Sequence, residues 1–257
     1  MPFTIGTWNV NSLRVRLPQL TEWLAANPVD AVALQETKLT DNDFPYAELA
    51  AGGWQIKANG QKTYNGVAIL ARRPLDNVTT DIAGFEDPQR RVLAVTCGDL
   101  RIVNLYVPNG QSVGGDKYQY KLGWLAAARL WLQAELARYP KMIVLGDFNV
   151  APEDRDVHDP AAWVGQVLVS EPERTALRDI MGLGLIDVFR RFGQPAGSFS
   201  WWDYRAAAFR RNNGLRIDLI LASAALADLC SGTHIDKEPR KSERPSDHAP
   251  VLATFDI

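Results

Sequence analysis

The order of segments along this chain repeats once, and that repeat restricts the fold more than any single motif does. Runs rich in Val, Ile and Leu predict strands, and helical spacing over 17–26, 117–139 and 172–185 predicts helices. Each half shares the order strand, helix, strand, strand, strand. The strand segments are FTIGTWNVN, AVALQETK, GVAILARR and RVLAVTCG in the first half, and RIVNLYVPN, MIVLGDFNV, RIDLILAS and APVLATFDI in the second. The repeat is one of pattern, not of close sequence identity.

Two similar β-rich halves predict a layered α/β fold. A sheet covered by helices on one face still has an apolar face to bury, and two such sheets bury it against each other. We therefore expect a four-layer α/β/β/α sandwich of two pseudo-symmetric β-sheets flanked by helices, with strand ends from both halves at one rim. A chain of 257 residues, 46% of them hydrophobic, can bury one large core, so we expect a single domain over 1–257.

Composition favours a reducing compartment and gives no membrane segment. The N-terminus lacks a basic segment followed by an apolar one, and no run approaches the roughly 18 uninterrupted apolar residues of a membrane span. Cys97 and Cys230 lie in or beside apolar runs, so we expect buried free thiols. We expect a soluble, cytoplasmic protein. The net charge of −2 neither favours nor excludes nucleic acid, because binding depends on local basic patches.

Polar side chains end five of the strand segments. They are Asn9 with Asn11, Glu36, Asp147 with Asn149, Asp218, and Asp247 with His248. One such residue usually forms a turn or caps a helix, but five sets together indicate a site. Asp218 is the most unusual, because it lies inside the apolar run RIDLILA, where a buried carboxylate needs a partner or a metal.

The donor types in this set select the metal. Carboxylate and amide oxygens with one histidine and no cysteine suit Mg²⁺, for which Mn²⁺ can substitute, and match structural zinc poorly. The other histidines, His158 and His234, lie in segments expected to be loops, without a second ligand at metal-binding spacing. We expect both to be surface residues.

These residues meet the needs of phosphodiester hydrolysis. The reaction requires a cation for the developing charge, a group that activates or orients water, and a donor to the phosphate oxygens. Glu36 is the natural metal ligand, Asp147 with Asn149 can hold the water, and His248 can donate to the phosphate. Either Asp218 or Asp247 can fix the other ring nitrogen of His248.

The motifs TWNVNSLR, LQETK, NLYVPNG, GDFN, GLRIDLIL and SDHAP resemble the exodeoxyribonuclease III family of AP endonucleases, within the endonuclease/exonuclease/phosphatase superfamily. The likeness runs from Phe3 to the C-terminus. It implies Glu36 as the principal metal ligand, with Asn11 and Asp247 near the metal or its waters, although Asn11 stands where some relatives carry Asp. The full candidate metal set is Asn9, Asn11, Glu36, Asp147, Asn149, Asp247 and His248.

The resemblance also implies roles for the remaining site residues. Asp147 is expected to be the base or water-orienting residue, with Asn149 as its neighbour, and His248 the phosphate donor oriented by Asp218. Tyr106 and Asn109 are expected to contact the phosphate or the leaving group.

The segment FSWWDYRAAAFRRNNGLRID predicts the substrate, because aromatic residues interleaved with arginines are typical of nucleic-acid contacts. Arg205 is one of these arginines and is expected to contact the substrate. By the resemblance, Trp201 and Leu215 wall a pocket for a base-free deoxyribose. Trp202 is expected to be a core residue. The resemblance implies a monomeric repair enzyme that cuts duplex DNA 5′ to abasic sites, with 3′-5′ exonuclease, 3′-phosphodiesterase or 3′-phosphatase activity.

Two other functions are compatible with this type of fold. An inositol-phosphate or phospholipid phosphoesterase would need membrane-contacting apolar loops or a basic headgroup loop, in place of FSWWDYR and GLRID. A DNA-binding module without catalysis would lack one of the site carboxylates, and here all of them are present.

Overall fold

The computed structural model describes residues 2–257, which form twelve strands in two sheets. In chain order they are β1 (Pro2–Asn9), β2 (Ala31–Gln35), β3 (Gln55–Asn59), β4 (Val67–Ala71), β5 (Asp76–Thr79), β6 (Val92–Cys97), β7 (Leu100–Tyr106), β8 (Met142–Asp147), β9 (Leu185–Asp187), β10 (Asp218–Ser223), β11 (Cys230–Ile235) and β12 (Val251–Asp256). The first sheet has the order β11-β12-β1-β2-β4-β3, and the second β5-β6-β7-β8-β10-β9.

The helices between these strands are α1 (Leu13–Ala26), α2 (Tyr46–Ala51), α3 (Asp116–Arg138), α4 (Glu171–Met181), α5 (Ala208–Arg211) and α6 (Ala224–Ala227). The first helix begins four residues before the expected start at Leu17 and includes Pro18. The fourth ends at Met181 with Gly182 as its C-cap, and Leu185 already belongs to β9. A capping box between Ser170 and Glu173 fixes its start.

Three apolar interfaces confirm the four-layer α/β/β/α sandwich. Alternate residues of each strand face opposite sides of its sheet, so Ala31 and Ala33 lie in the core between the two sheets. Val32 and Leu34 face α1 instead. The second sheet packs its outer face against α3 and α4 in the same way, through residues such as Trp124.

The last strand of each sequence half belongs to the other sheet, which the repeat alone does not reveal. We expected RVLAVTCG with the first half, but β6 pairs antiparallel with β7 in the second sheet. Likewise, β12 pairs antiparallel with β1 in the first sheet. The two sheets remain pseudo-symmetric despite this exchange, because each contains one matching parallel pair. That pair is β1 with β2 in the first sheet and β7 with β8 in the second.

Strand direction brings the polar ends to one rim. Asn9 ends β1, Glu36 follows β2 and Asp147 ends β8, as expected. Asp218, in contrast, begins β10 rather than lying inside a strand, and it pairs in register with Asp147 because β10 is antiparallel to β8. His248 similarly precedes the antiparallel strand β12.

A buried amide pair joins the two sheets just beneath this rim. The Nε2 of Gln35 donates to Asn104 Oδ1 at 2.8 Å and to Thr7 Oγ1 at 2.9 Å. The Nδ2 of Asn104 in turn donates to backbone carbonyls of β2 and β4 in the opposite sheet. Because Gln35 directly precedes Glu36, these hydrogen bonds hold the backbone from which the Glu36 side chain extends.

Both cysteines are buried free thiols, as predicted. Within residues 2–257, none of the helices combines the length and the apolar character that crossing a membrane requires.

Candidate active site

Asn9 joins the two carboxylates that the sheets contribute. Its Nδ2 donates to Glu36 Oε1 and to Asp147 Oδ2, both at 2.9 Å. Its Oδ1 accepts the backbone N–H of Asn11 at 2.9 Å. The side chain is fully buried, so its donors and acceptor are used within the protein. Asn9 therefore sets the separation of Glu36 and Asp147.

The half-buried carboxylate of Glu36 faces a cluster that already accommodates a positive charge. Glu36 has a left-handed backbone, with φ of 51°, directly after β2. The Lys38 ammonium contacts Glu36 Oε2 at 2.9 Å and Asn11 Oδ1 at 2.5 Å. The Nδ2 of Asn11 donates to Asp247 Oδ1 at 2.9 Å, which brings a second carboxylate to the same cluster.

Asp147 is held from the opposite side by the turn that follows β8. Its Oδ1 accepts the backbone N–H of Asn149 at 2.9 Å, an interaction that the left-handed Asn149 (φ 49°) makes possible. The Nδ2 of Asn149 donates to Val107 O at 2.9 Å, and its Oδ1 accepts from Asn109 Nδ2 at 3.1 Å. The loops after β7 and β8 are thus joined through their asparagines.

His248 lies between two buried carboxylates. Its Nδ1 is 2.9 Å from Asp218 Oδ2, and its Nε2 is 3.7 Å from Asp147 Oδ2. Asp247, the other residue considered for orienting the ring, instead accepts from Trp201 Nε1 at 3.0 Å. A metal ion could bind between Asp147, Asp218 and His248, because their ligand atoms lie close together. The hydrogen bond from His248 to Asp218 instead indicates an imidazole ring that is held in one orientation.

The carboxylates keep His248 charged. Burial disfavours the imidazolium, but Asp218 and then Asp147 outweigh that effect and raise the pKa of His248 to about 10. Burial raises the pKa of Asp147 to about 7 despite the opposing effect of His248. An imidazolium at neutral pH has donors on both ring nitrogens, and Nε2 is therefore a donor on the side of Asp147.

Tyr106 lies at the end of β7 beside Glu36. Burial, followed by the negative charges of Glu36 and Asp147, raises the pKa of this phenol well above its usual value. The Arg91 guanidinium stacks 4.7 Å from the centre of the Tyr106 ring. The phenol consequently remains protonated and can donate a hydrogen bond.

Trp201 is joined to the site by its hydrogen bond to Asp247, and Leu215 is its neighbour in an isolated β-bridge. Trp201 is partly exposed, while the Leu215 side chain is fully buried and packs in the same apolar cluster. Backbone hydrogen bonds between the two residues hold them together. Leu215 thus supports Trp201 rather than offering a surface of its own, which corrects its expected role. Trp202 is a fully buried core residue, as expected.

Three other expectations need correction or qualification. The structure does not bring Arg205 to the cluster: its side chain is 88% exposed and pairs with Asp203 at 2.7 Å. His234 is exposed as expected, but it lies in β11 rather than in a loop. His158 is partly buried, with Nδ1 3.3 Å from Gly214 O and its ring edge against Trp163.

Sequence reasoning overlooked residues that hold the site together. Ser246 donates to the backbone of Asn9 at 2.6 Å and accepts the N–H of His248 at 3.2 Å. Ser200 accepts the backbone N–H of Asp218 at 3.1 Å. Ser246 and Lys38 lie inside the recognised motifs SDHAP and LQETK, so the signal was present, but small hydroxyls and a lysine among carboxylates do not suggest a role on their own.

The candidate metal ligands differ in how far their donor atoms are already engaged. The side-chain oxygens of Asn9 and Asn149 each accept a hydrogen bond within the protein, and Nδ1 of His248 is hydrogen-bonded to Asp218. Glu36 Oε2 and Asn11 Oδ1 both contact the Lys38 ammonium, and Asp247 joins them through its hydrogen bond from Asn11; carboxylate and amide oxygens are donor types that hard cations prefer.

Residues 6–248 match the endonuclease/exonuclease/phosphatase family. The chain belongs to that family. It is 33% identical, over 270 aligned positions, to exodeoxyribonuclease III of Haemophilus influenzae, covering 97% of this chain and 98% of that protein. The resemblance proposed from the motifs is thereby confirmed.

Solved structures extend this likeness to the fold. The 3′ phosphatase NExo from Neisseria, bound to a product DNA hairpin, superimposes with a TM-score of 0.97 at 44% identity, covering 99% of this chain and 100% of that one. An AP endonuclease from Archaeoglobus fulgidus gives a TM-score of 0.96 at 36% identity with the same coverage. These relatives share the two-sheet architecture that positions the site.

Proposed function

We propose that this protein is a Mg²⁺-dependent DNA-repair phosphodiesterase that cuts duplex DNA 5′ to abasic sites and processes 3′ ends as an exonuclease, phosphodiesterase or phosphatase. One observation carries the proposal: Asn9 binds a carboxylate from each sheet, Glu36 and Asp147, beside a charged His248 and the partly exposed Trp201. The names of the relatives, exodeoxyribonuclease III and AP endonuclease, support the same reaction.

Glu36 would hold the metal, with Asn11 and Asp247 beside it. When bound, Mg²⁺ neutralises the charge that develops on the phosphate. Asp147 orients the attacking water and accepts its proton, and a pKa near 7 suits that task at neutral pH. His248 donates from Nε2 to a phosphate oxygen, while Asp218 keeps the ring in place.

Tyr106 and Asn109 complete the phosphate site. The protonated phenol of Tyr106 and the amide of the exposed Asn109 are donors that line one cavity next to Glu36 and Asn149. The indole of Trp201, held by its hydrogen bond to Asp247, is suited to pack against a sugar that lacks its base. We propose that the enzyme acts as a monomer.

The decisive assay offers three substrates in the presence of Mg²⁺: a duplex with one abasic-site analogue, an intact duplex with a recessed 3′ end, and a phosphoinositide. We expect cleavage of the DNA substrates only. Asp147→Asn should abolish turnover while DNA binding, measured by fluorescence anisotropy, remains largely intact. Turnover of the phosphoinositide alone would identify the other phosphoesterase class, and binding without cleavage of either DNA would overturn the proposal.

A further inference from the structure

A fully buried lysine lies directly behind the site. The Lys121 side chain on α3 is 0% exposed, and a buried ammonium is unfavourable unless every donor is satisfied. Its Nζ donates to Asn149 O at 2.6 Å, to Asn109 O at 3.1 Å, and to the Glu173 carboxylate. The three donors of the ammonium therefore match three acceptors.

Two of these acceptors belong to the loops that carry site residues. Asn109 follows β7, and Asn149 follows β8 next to Asp147. Asn149 adopts a left-handed backbone with φ of 49°, which is less favourable for residues other than glycine. The ammonium holds its carbonyl, and Asp147 Oδ1 holds its N–H. Lys121 thus fixes the turn that presents Asp147.

Glu173, at the other end of the ion pair, holds the backbone of the segment next to Trp201. Its Oε1 accepts the N–H of Leu168 at 3.0 Å, and its Oε2 accepts the N–H of Ser170 at 3.1 Å. Leu168 has φ of 78°, an outlier for a bulky residue, and it packs in the cluster that contains Leu215 and supports Trp201. One buried ion pair therefore holds a left-handed residue at each of its ends.

We propose that Lys121 and Glu173 are positioning residues that link the catalytic turn at Asp147–Asn149 to the segment 165–170 beneath Trp201. The inference rests on the proposed function for its catalytic consequence. A displacement at either end of the pair is transmitted to the other, because a fully buried ion pair with all hydrogen bonds made has no solvent into which to relax.

The test uses a double variant and a matched control. Lys121→Met alone would leave the Glu173 carboxylate buried without a partner and can prevent folding, so the variant is Lys121→Met/Glu173→Gln, which neutralises both ends. Arg101 and Glu135 form a second buried pair, at 2.7 Å, that also involves α3 but contacts none of the site loops. Arg101→Met/Glu135→Gln is therefore the control.

Two measurements decide the inference. In the Lys121/Glu173 variant, amide hydrogen exchange in 148–151 and 165–170 should be at least about 10-fold faster than in wild type, and unchanged there in the control. The kcat on both DNA substrates should fall about 10- to 100-fold in the variant, with KM changed far less, since misplaced groups act mainly on the chemical step. The control should keep kcat within about 3-fold, even at an equal loss of Tm.

Unchanged exchange in both segments would overturn the link, and a fall in kcat no larger than that of the control would overturn the positioning role. Failure of the proposed function looks different, because the wild-type protein itself would then cleave neither DNA. In that event the catalytic part of the inference falls with it, while the exchange rates still decide whether the ion pair joins the two segments.

Discussion

Replacing Asp218 with Asn should remove the charge that keeps His248 protonated. A pKa of about 10 instead of 6.5 corresponds to about 5 kcal/mol of preference for the imidazolium, at about 1.4 kcal/mol per pKa unit. Asp218 is the largest favourable contribution, through its charge and its hydrogen bond to Nδ1. Without it, burial opposes only the weaker effects of Asp147 and Asp247, and we expect the ring of His248 to become neutral near pH 7.

The assay is kcat as a function of pH on the abasic duplex. In Asp218→Asn the neutral ring loses its charge-assisted bond to the phosphate and can adopt the wrong tautomer, so kcat at pH 7 should fall about 10²- to 10⁴-fold. The alkaline limb of the profile should move to lower pH, because the imidazolium is lost earlier.

A matched control separates this effect from the loss of any buried carboxylate. Asp187 is also buried and ion-paired in the second sheet, but its partner Arg216 keeps a second carboxylate, Asp156. Asp187→Asn should leave the alkaline limb in place. A wild-type alkaline limb in Asp218→Asn, with kcat within about 5-fold, would refute the role given to Asp218.

The free energy of unfolding should also depend on the charge of His248. The pKa of His248 in the folded protein lies above its unfolded value of 6.5, so its contribution is complete below about pH 6.5 and is lost as the pH rises toward 10. Between pH 7 and 9.5, the unfolding free energy from urea titration should therefore fall, by at most about 3 kcal/mol. A flat dependence in wild type, equal to that of Asp218→Asn, would contradict the assignment.

Three further variants test single features of the site. Lys38→Met removes the ammonium that contacts Glu36 and should lower the Mg²⁺ concentration for half-maximal rate about 3- to 10-fold. An unchanged or higher Mg²⁺ concentration for half-maximal rate would count against a metal site at Glu36. Gly146→Ala places a Cβ 1.9 Å from Leu105 O at a φ of 144° and should cost at least about 2 kcal/mol in urea unfolding, whereas a neutral result would exclude that packing. Trp201→Ala should reduce kcat/KM on abasic DNA more than on recessed 3′ ends, and equal losses would argue against a sugar pocket.

The sequence predicts the layers of this fold but not the pairing of all strands. The short apolar runs of β6 and β12 identify each as a buried strand. They do not identify the neighbour, because hydrogen bonding between backbones is nearly independent of side chains. The exchange of these two strands between the halves therefore required the structure.

Within the site, strand-end residues were predictable and side-chain directions were not. Glu36 and Asp147 follow apolar runs, and such positions lie at a sheet rim by geometry. Leu215 lies outside the regular strands, in isolated bridges to Val157 and Trp201, so no two-residue alternation indicates its face. Arg205 pairs with Asp203, two residues before it. The aromatic and arginine content of the segment does not indicate which arginines have such a local partner.

The position of β12 has a consequence for how the enzyme is made. This strand follows all the others of residues 2–257 in the chain, yet it lies inside the first sheet, between β11 and β1. During synthesis, β1 can pair with β2 early, but its other edge must wait for β12, more than 200 residues away in sequence, and such distant pairing slows folding. His248 arrives only with that strand. A nascent chain on the ribosome therefore has Glu36 and Asp147 long before it has Asp247 and His248, and the proposed site is complete only after these two residues have been added.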